Sequence, residues 1–135
     1  MSLFQWSEAL SVGYPDIDSQ LKRLFQLANQ LQTAMTAGKG KQVVSNMLHN
    51  LVAYAKRHFA DEEVLMQLHR FPGSSQHKVA HEAQALKLVL FERAFSAGQA
   101  TVTMEVQLQS LHDWLVQHIQ EADKKVADHL RQRVR

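Results

Sequence analysis

His58-Phe59-Ala60-Asp61-Glu62-Glu63 opens, and His77-Lys78-Val79-Ala80-His81 closes, the stretch of chain whose reading decides the fold. Each segment carries two metal-type side chains four residues apart, His58 with Glu62 and His77 with His81. An α-helix turns once in about 3.6 residues, so each pair lies on one helix face. Phe71-Pro72-Gly73 separates the two segments with residues that stop a helix. A break this short implies antiparallel neighbours. The C-terminal half of one helix then meets the N-terminal half of the next, and all four side chains reach the same level.

A third pair, His118 with Asp123, follows on a later helix. Its five-residue spacing is awkward, because at about 100° per residue Asp123 would rotate well away from His118. The spacing therefore predicts a bulge of the π type between them, a device common at functional sites.

Working outward, helical periodicity predicts four long segments. After an irregular lead from Met1 to Pro15, Asp16 or Asp18 is expected to cap a first helix with the stripe Leu21, Leu24, Phe25, Leu27, Ala28 and Leu31, running to about Ala37. Gly38-Lys39-Gly40 ends it. The second is expected from about Lys41 to Leu68, the third from about Ser74 to Ser96, and the fourth from near Thr101 with Val106, Leu108, Leu111, Leu115 and Ile119 on its apolar face. The expected fold class is all-α, an antiparallel up-down-up-down four-helix bundle, and at 135 residues it makes one domain, 1–135. No repeat, low-complexity tract or strand pattern is visible.

Composition narrows the chemistry. With no cysteine, thiolate catalysis, disulfides, cysteine-bound iron–sulfur clusters and zinc–thiolate sites are excluded, and any metal must be held by nitrogen and oxygen. Four histidines and two acids exceed what one tetrahedral zinc requires, and inward carboxylates and imidazoles from three helices suit two carboxylate-bridged iron ions. Taken singly, a His–Glu pair at helical spacing is usually a solvated face. Three such pairs at one level are different, because core packing asks for no polar residues there.

The net charge is only +2, although the isoelectric point is about 9.0. Basic residues cluster only at Lys124-Lys125 and at Arg131, Arg133 and Arg135, without interleaved aromatics, which reads as a solvated helix end and not a nucleic-acid surface. The start lacks a signal-peptide pattern and no run of about 20 apolar residues suggests a membrane span, so a cytoplasmic, soluble protein is expected. A monomer is expected too, on the ground that closing the bundle leaves no broad apolar stripe. His49, His69, His112 and His129 are out of phase with the three pairs or too far along the helices, and are read as partly exposed bystanders.

The chain resembles the bacteriohemerythrins of the hemerythrin family. The resemblance is carried by Trp6, Ser11-Val12-Gly13-Tyr14, Ile17-Asp18-Ser19-Gln20, the two segments quoted above, and Trp114-Leu115-Val116-Gln117-His118-Ile119 with Asp123, in the family's order over nearly the whole chain. It implies a non-heme di-iron centre that binds O2. His77, His81 and His118 would hold one iron, His58 the other, and Glu62 and Asp123 would bridge the two.

One residue departs from the pattern. The family has a histidine directly after the glutamine of the first helix, and here that position is Leu21. Three outcomes stand open: a second iron with water in the vacant position, a single iron held by three histidines and the acids, or substitution by Asp18 or Gln20. The vacancy separates two functional expectations. One is a carrier, store or sensor of O2 with a less stable adduct than the family norm. The alternative is an oxidase- or peroxidase-type enzyme that uses the open position. Trp114, Leu115 and Ile119, with Met47, Leu51 and Tyr54, are expected as core, some of them lining an O2 pocket.

Overall fold

The computed structural model describes residues 3–98 and 101–133, the side chains of 101–104 and 133 excepted. Met1, Ser2 and Arg135 of the lead and tail lie outside the described residues, as does the side chain of Arg133. Four helical rods form the molecule: α1 (Pro15–Thr36), α2 (Lys41–Leu68), α3 (Ser74–Ser96), and a fourth rod made of α4 (Thr101–His118), one π-helical turn (Ile119–Asp123) and α5 (Lys124–Arg133). No strand occurs among the described residues. α1 packs on α2 and α2 on α3, while α4 closes the bundle against α1 and α3.

The apolar stripes do this work. On α1, Ile17, Leu21, Leu24, Phe25, Ala28 and Leu31 are buried; on α2, Val44, Leu48, Leu51, Val52 and Ala55; on the fourth rod, Leu108, Leu111, Leu115, Ile119, Val126 and Leu130. Of the residues expected as core, Met47, Tyr54 and Trp114 are only partly buried and pack against this cluster. Helix ends follow the turn chemistry: Gly38 at φ 69° and Gly98 at φ 95° supply left-handed residues after α1 and α3, a backbone region in which only glycine is unstrained. After α2, Arg70 takes that role at φ 53°, and Phe71 N–H closes the turn onto Met66 O at 2.9 Å.

The cap expected for α1 is not where the sequence put it. The N-cap position is Tyr14, without a side-chain cap, and Pro15 begins the helix with its φ already set. Asp16 and Asp18 both fall inside the first turn. Asp18 instead reaches back to the lead, where Oδ1 accepts from Val12 N–H at 2.8 Å and Oδ2 from Ser11 Oγ at 2.5 Å. Arg131 on α5 donates to Val12 O at 2.5 Å, so the lead is pinned from both sides. Lys124 likewise donates to Ala9 O at 3.2 Å. These two basic residues of the tail are thus engaged in holding the N-terminal lead.

The ground given for a monomer meets an exception on α3. Val79, Leu86 and Leu90, spaced seven and four residues apart on one face, are more than half exposed. No helix among the described residues is long and apolar enough to cross a membrane.

Candidate metal centre

Five of the six candidate residues meet at one level of the bundle. Glu62 from α2, His77 and His81 from α3, and His118 and Asp123 from the fourth rod each offer a donor atom, and these atoms lie within 4.8 Å of one another. All five are buried. The bulge expected from the His118–Asp123 spacing is present as the π-turn, whose i to i+5 bonding widens the helix by the one residue needed to bring Asp123 under His118.

The contacts at the centre do not suit protons alone. His118 Nε2 is 3.2 Å from His77 Nε2 and 3.3 Å from His81 Nε2. Glu62 Oε1 touches His77 Nε2 and lies 3.2 Å from His81 Nε2, while Asp123 Oδ1 is 3.2 Å from both His77 and His118. The Asp123 approaches are too oblique to be hydrogen bonds. Glu62 Oε2 and both Asp123 oxygens therefore have no hydrogen-bond partner, although fully buried. Orphaned buried carboxylate oxygens are rare and costly. Three inward imidazole nitrogens beside them complete a donor set that one or more cations would satisfy.

Outer residues fix the tautomers. His81 Nδ1 donates to Glu63 Oε2 at 2.9 Å, which leaves Nε2 unprotonated toward the centre. His58 stands outside the group of five. Its Nδ1 donates to Gln20 Oε1 at 2.8 Å, and Gln20 Nε2 donates onward to Asp61 Oδ2 at 2.9 Å. That second bond decides which end of the amide faces His58. His58 Nε2 is accordingly the free donor, and the ring lies within electrostatic reach of Glu62 and Asp123. Gln20 and Asp18, the two side chains expected as possible substitutes for a ligand at the Leu21 position, are both committed to other partners. Leu21 itself is fully buried in the core.

Protonation follows the same geometry. Burial, with Asp123 beside it, pushes Glu62 up to about 7. Burial opposes ionisation of Asp123 as well, but His118 and His77 outweigh it and hold that carboxyl far below its ordinary range. At His77 burial is overcome by Asp123 and Glu62, which raise the imidazole to about 9. Burial and the neighbouring His77 lower His81 to about 4. His58 is lowered by burial, against an opposite pull from the two acids. His81 and His58 are thus neutral donors near pH 7, whereas a metal would displace protons from His77 and Glu62.

Aromatic rings close the three-histidine side. Phe59 stacks on His81 with centroids 4.3 Å apart, and Trp114 stacks on His118 at 4.4 Å. Phe59 meets Trp114 edge-on at 5.9 Å. Water is kept from the ring faces of the donors.

Residues 12–130 match the Hemerythrin HHE cation binding domain. The chain belongs to the hemerythrin family. It is 32% identical over 131 residues to the bacteriohemerythrin of Stenotrophomonas maltophilia, covering 97% of this chain and 84% of that protein. The myohemerythrin of Sipunculus nudus is 32% identical over 123 residues, 90% of this chain and 89% of its own. A crystal structure of wild-type hemerythrin superposes with a TM-score of 0.83 at 29% identity, covering 93% of this chain and 96% of that one.

Within this hemerythrin-family bundle the remaining histidines stay outside the centre. His49 pairs with Glu92 on the surface, His112 lies beside Asp113 and edge-on to Phe4, and His129 donates to His69 O at 2.6 Å. Sequence reasoning missed the orienting roles of Glu63, Asp61 and Gln20. The one signal available was their position beside Glu62 and Leu21.

Proposed function

We propose that this protein is a hemerythrin-type non-heme di-iron protein that binds O2, as a carrier, store or sensor, with its two metal positions unequally provided. His77, His81 and His118 would hold one iron and His58 the other, with Glu62 and Asp123 shared between them. Leu21, which offers no donor, would leave the His58 position one protein ligand short. The observation that carries the reading is the set of orphaned oxygens on Glu62 and Asp123 facing three inward imidazole nitrogens. When bound, a pair of ferrous ions supplies the electrons and the open coordination position that reversible O2 binding needs.

The chain's own residues do the rest. Glu63 and Gln20 hold His81 and His58 in the donor tautomer. Phe59 and Trp114 cover one ring face each of His81 and His118. Family membership and the relatives' names support the O2 reading. The peroxidase-type alternative draws support from one feature, a cleft of about 480 Å³ between α1 and α2 that reaches Gln20, Asp61 and Glu62. Exposure of anaerobically iron-loaded protein to O2 distinguishes them. A visible charge-transfer band that disappears on degassing and returns with O2 supports binding. Steady turnover of a reducing substrate by peroxide, lost in His58→Ala, supports the enzyme instead.

A further inference from the structure

Glu62 is 1% exposed, yet it forms part of the lining of the α1–α2 cleft. Above it the lining carries Asp16 and Asp61, with Ser19 and Gln20 between them, and no lysine or arginine. Asp16 and Ser19 are exposed at the rim. Arg57 Nε lies 3.9 Å from Asp61 Oδ2 on a side chain 77% exposed. At that distance and exposure it holds the carboxylate only weakly. The lining carboxylate that is most deeply buried is also the one with an orphaned oxygen, Glu62 Oε2.

The other approach is not acidic throughout. A smaller cleft of about 210 Å³ reaches His77 and His118 from the side of α5, and its lining carries Lys125 as well as Glu121. A hydrated dication approaching there meets one charge of each sign and then two imidazoles. Approaching between α1 and α2 it meets carboxylates throughout, an arrangement that concentrates cations by focusing the field in a cleft with low-dielectric walls.

We propose that the α1–α2 cleft admits divalent first-row metal ions, which Asp16 and Asp61 collect as hydrated ions and Glu62 Oε2 receives, and that the metal of the His58 half exchanges by this route. The proposal rests on the two-metal reading of the centre. Leu21 favours it, because α1 forms one wall of the cleft and offers Asp16 at the rim but no imidazole at position 21 that a departing ion would have to leave. In the three-histidine half Phe59 and Trp114 stack on His81 and His118, and the cleft that reaches His77 is smaller and carries Lys125, so this half is the slow one.

The test loads the full chain anaerobically with ferrous ion, adds a coloured ferrous chelator, and follows release. Val64 lines the cleft and is 54% exposed, so Val64→Lys places a cation at the mouth without touching a donor. Asp16→Asn removes a rim charge, and Leu90→Lys on the outer face of α3 is the control. The expected result is two phases of one iron each, with the fast phase slowed by roughly tenfold in Val64→Lys. That phase depends on salt, slows to a lesser degree in Asp16→Asn, and is unchanged in Leu90→Lys. Two irons released at rates indifferent to Val64→Lys and to salt would overturn the route and leave the di-iron reading standing. A chain that takes up no iron in any form would overturn both.

Discussion

The group around His77, His81 and His118 and the surroundings of His58, the two halves of the proposed centre, draw on the same kinds of side chain and are not equivalent. The half around His77, His81 and His118 draws donors from two rods, a turn-spaced pair on α3 and His118 with Asp123 across the π-turn, and aromatic rings stack on His81 and His118. The half around His58 has one imidazole, a glutamine–aspartate relay behind it, the buried Leu21 that on the proposed reading stands where a donor would complete it, and an open acidic cleft that reaches Gln20 and Asp61. A metal's affinity follows the number and preparation of its donors. On the proposed reading α1 sets how unequal the halves are, since it supplies packing and one orienting amide to His58.

The comparison breaks most completely if the filled half is damaged. His77→Ala removes the imidazole that touches both Glu62 and Asp123. It is expected to abolish stoichiometric iron binding at both positions, whereas His58→Ala loses one iron of two; metal analysis after gel filtration reads this directly. Leu21→His should act in the opposite direction. It puts a polar ring into a fully buried position, lowering the stability of the metal-free protein by about 1–3 kcal/mol, while tightening the second iron so that the loaded variant melts above the loaded parent. Calorimetry with and without iron shows the crossing, and a variant less stable in both states would contradict the assignment of the vacancy.

Smaller effects separate the halves through their outer residues. Loss of such a partner weakens a metal site on the order of 10- to 100-fold. Glu63→Gln should loosen the tighter iron, and Gln20→Leu the weaker one alone, as seen in chelator competition. If Gln20→Leu weakened both equally, the two halves would not be separable.

The mildest expected effect is that of pH on the metal-free chain. His77, raised to about 9, contributes stability that is complete below pH 6.5 and is lost as pH rises through 9. Glu62, raised to about 7, contributes in the same sense, with its share lost as pH rises through 7. The lowered imidazoles of His81 and His58 act only below pH 6.5. The melting temperature of the metal-free protein should thus fall between pH 6.5 and 9, a fall that bound metal suppresses by replacing the protons. A rise over that window would overturn the protonation scheme.

Much of this was legible in the sequence. The four rods, their breaks and even the π-turn follow from residue spacing, because a helix converts sequence distance into angle by a fixed rule. Glu62, His77, His81, His118 and Asp123 fall out of the same rule. What did not follow depends on contacts between elements distant in sequence. Asp18 looks like a helix cap until the lead is seen to fold back on it, with Ser11 and Val12 as its partners. Glu63 and Gln20 look like surface residues until His81 and His58 turn toward them. The exposed stripe on α3 was hidden too, since periodicity shows which residues share a face and not whether another rod covers it.

The central claim is one centre with two unequal positions. Anaerobic titration of the metal-free chain with ferrous ion, in equilibrium competition with a chelator, tests it most directly. The account predicts two irons per chain, the second bound at least about tenfold more weakly, a gap of about 1.4 kcal/mol, with the gap narrowed in Leu21→His. Two irons of equal affinity, or a single iron unaffected by Leu21→His, would contradict it.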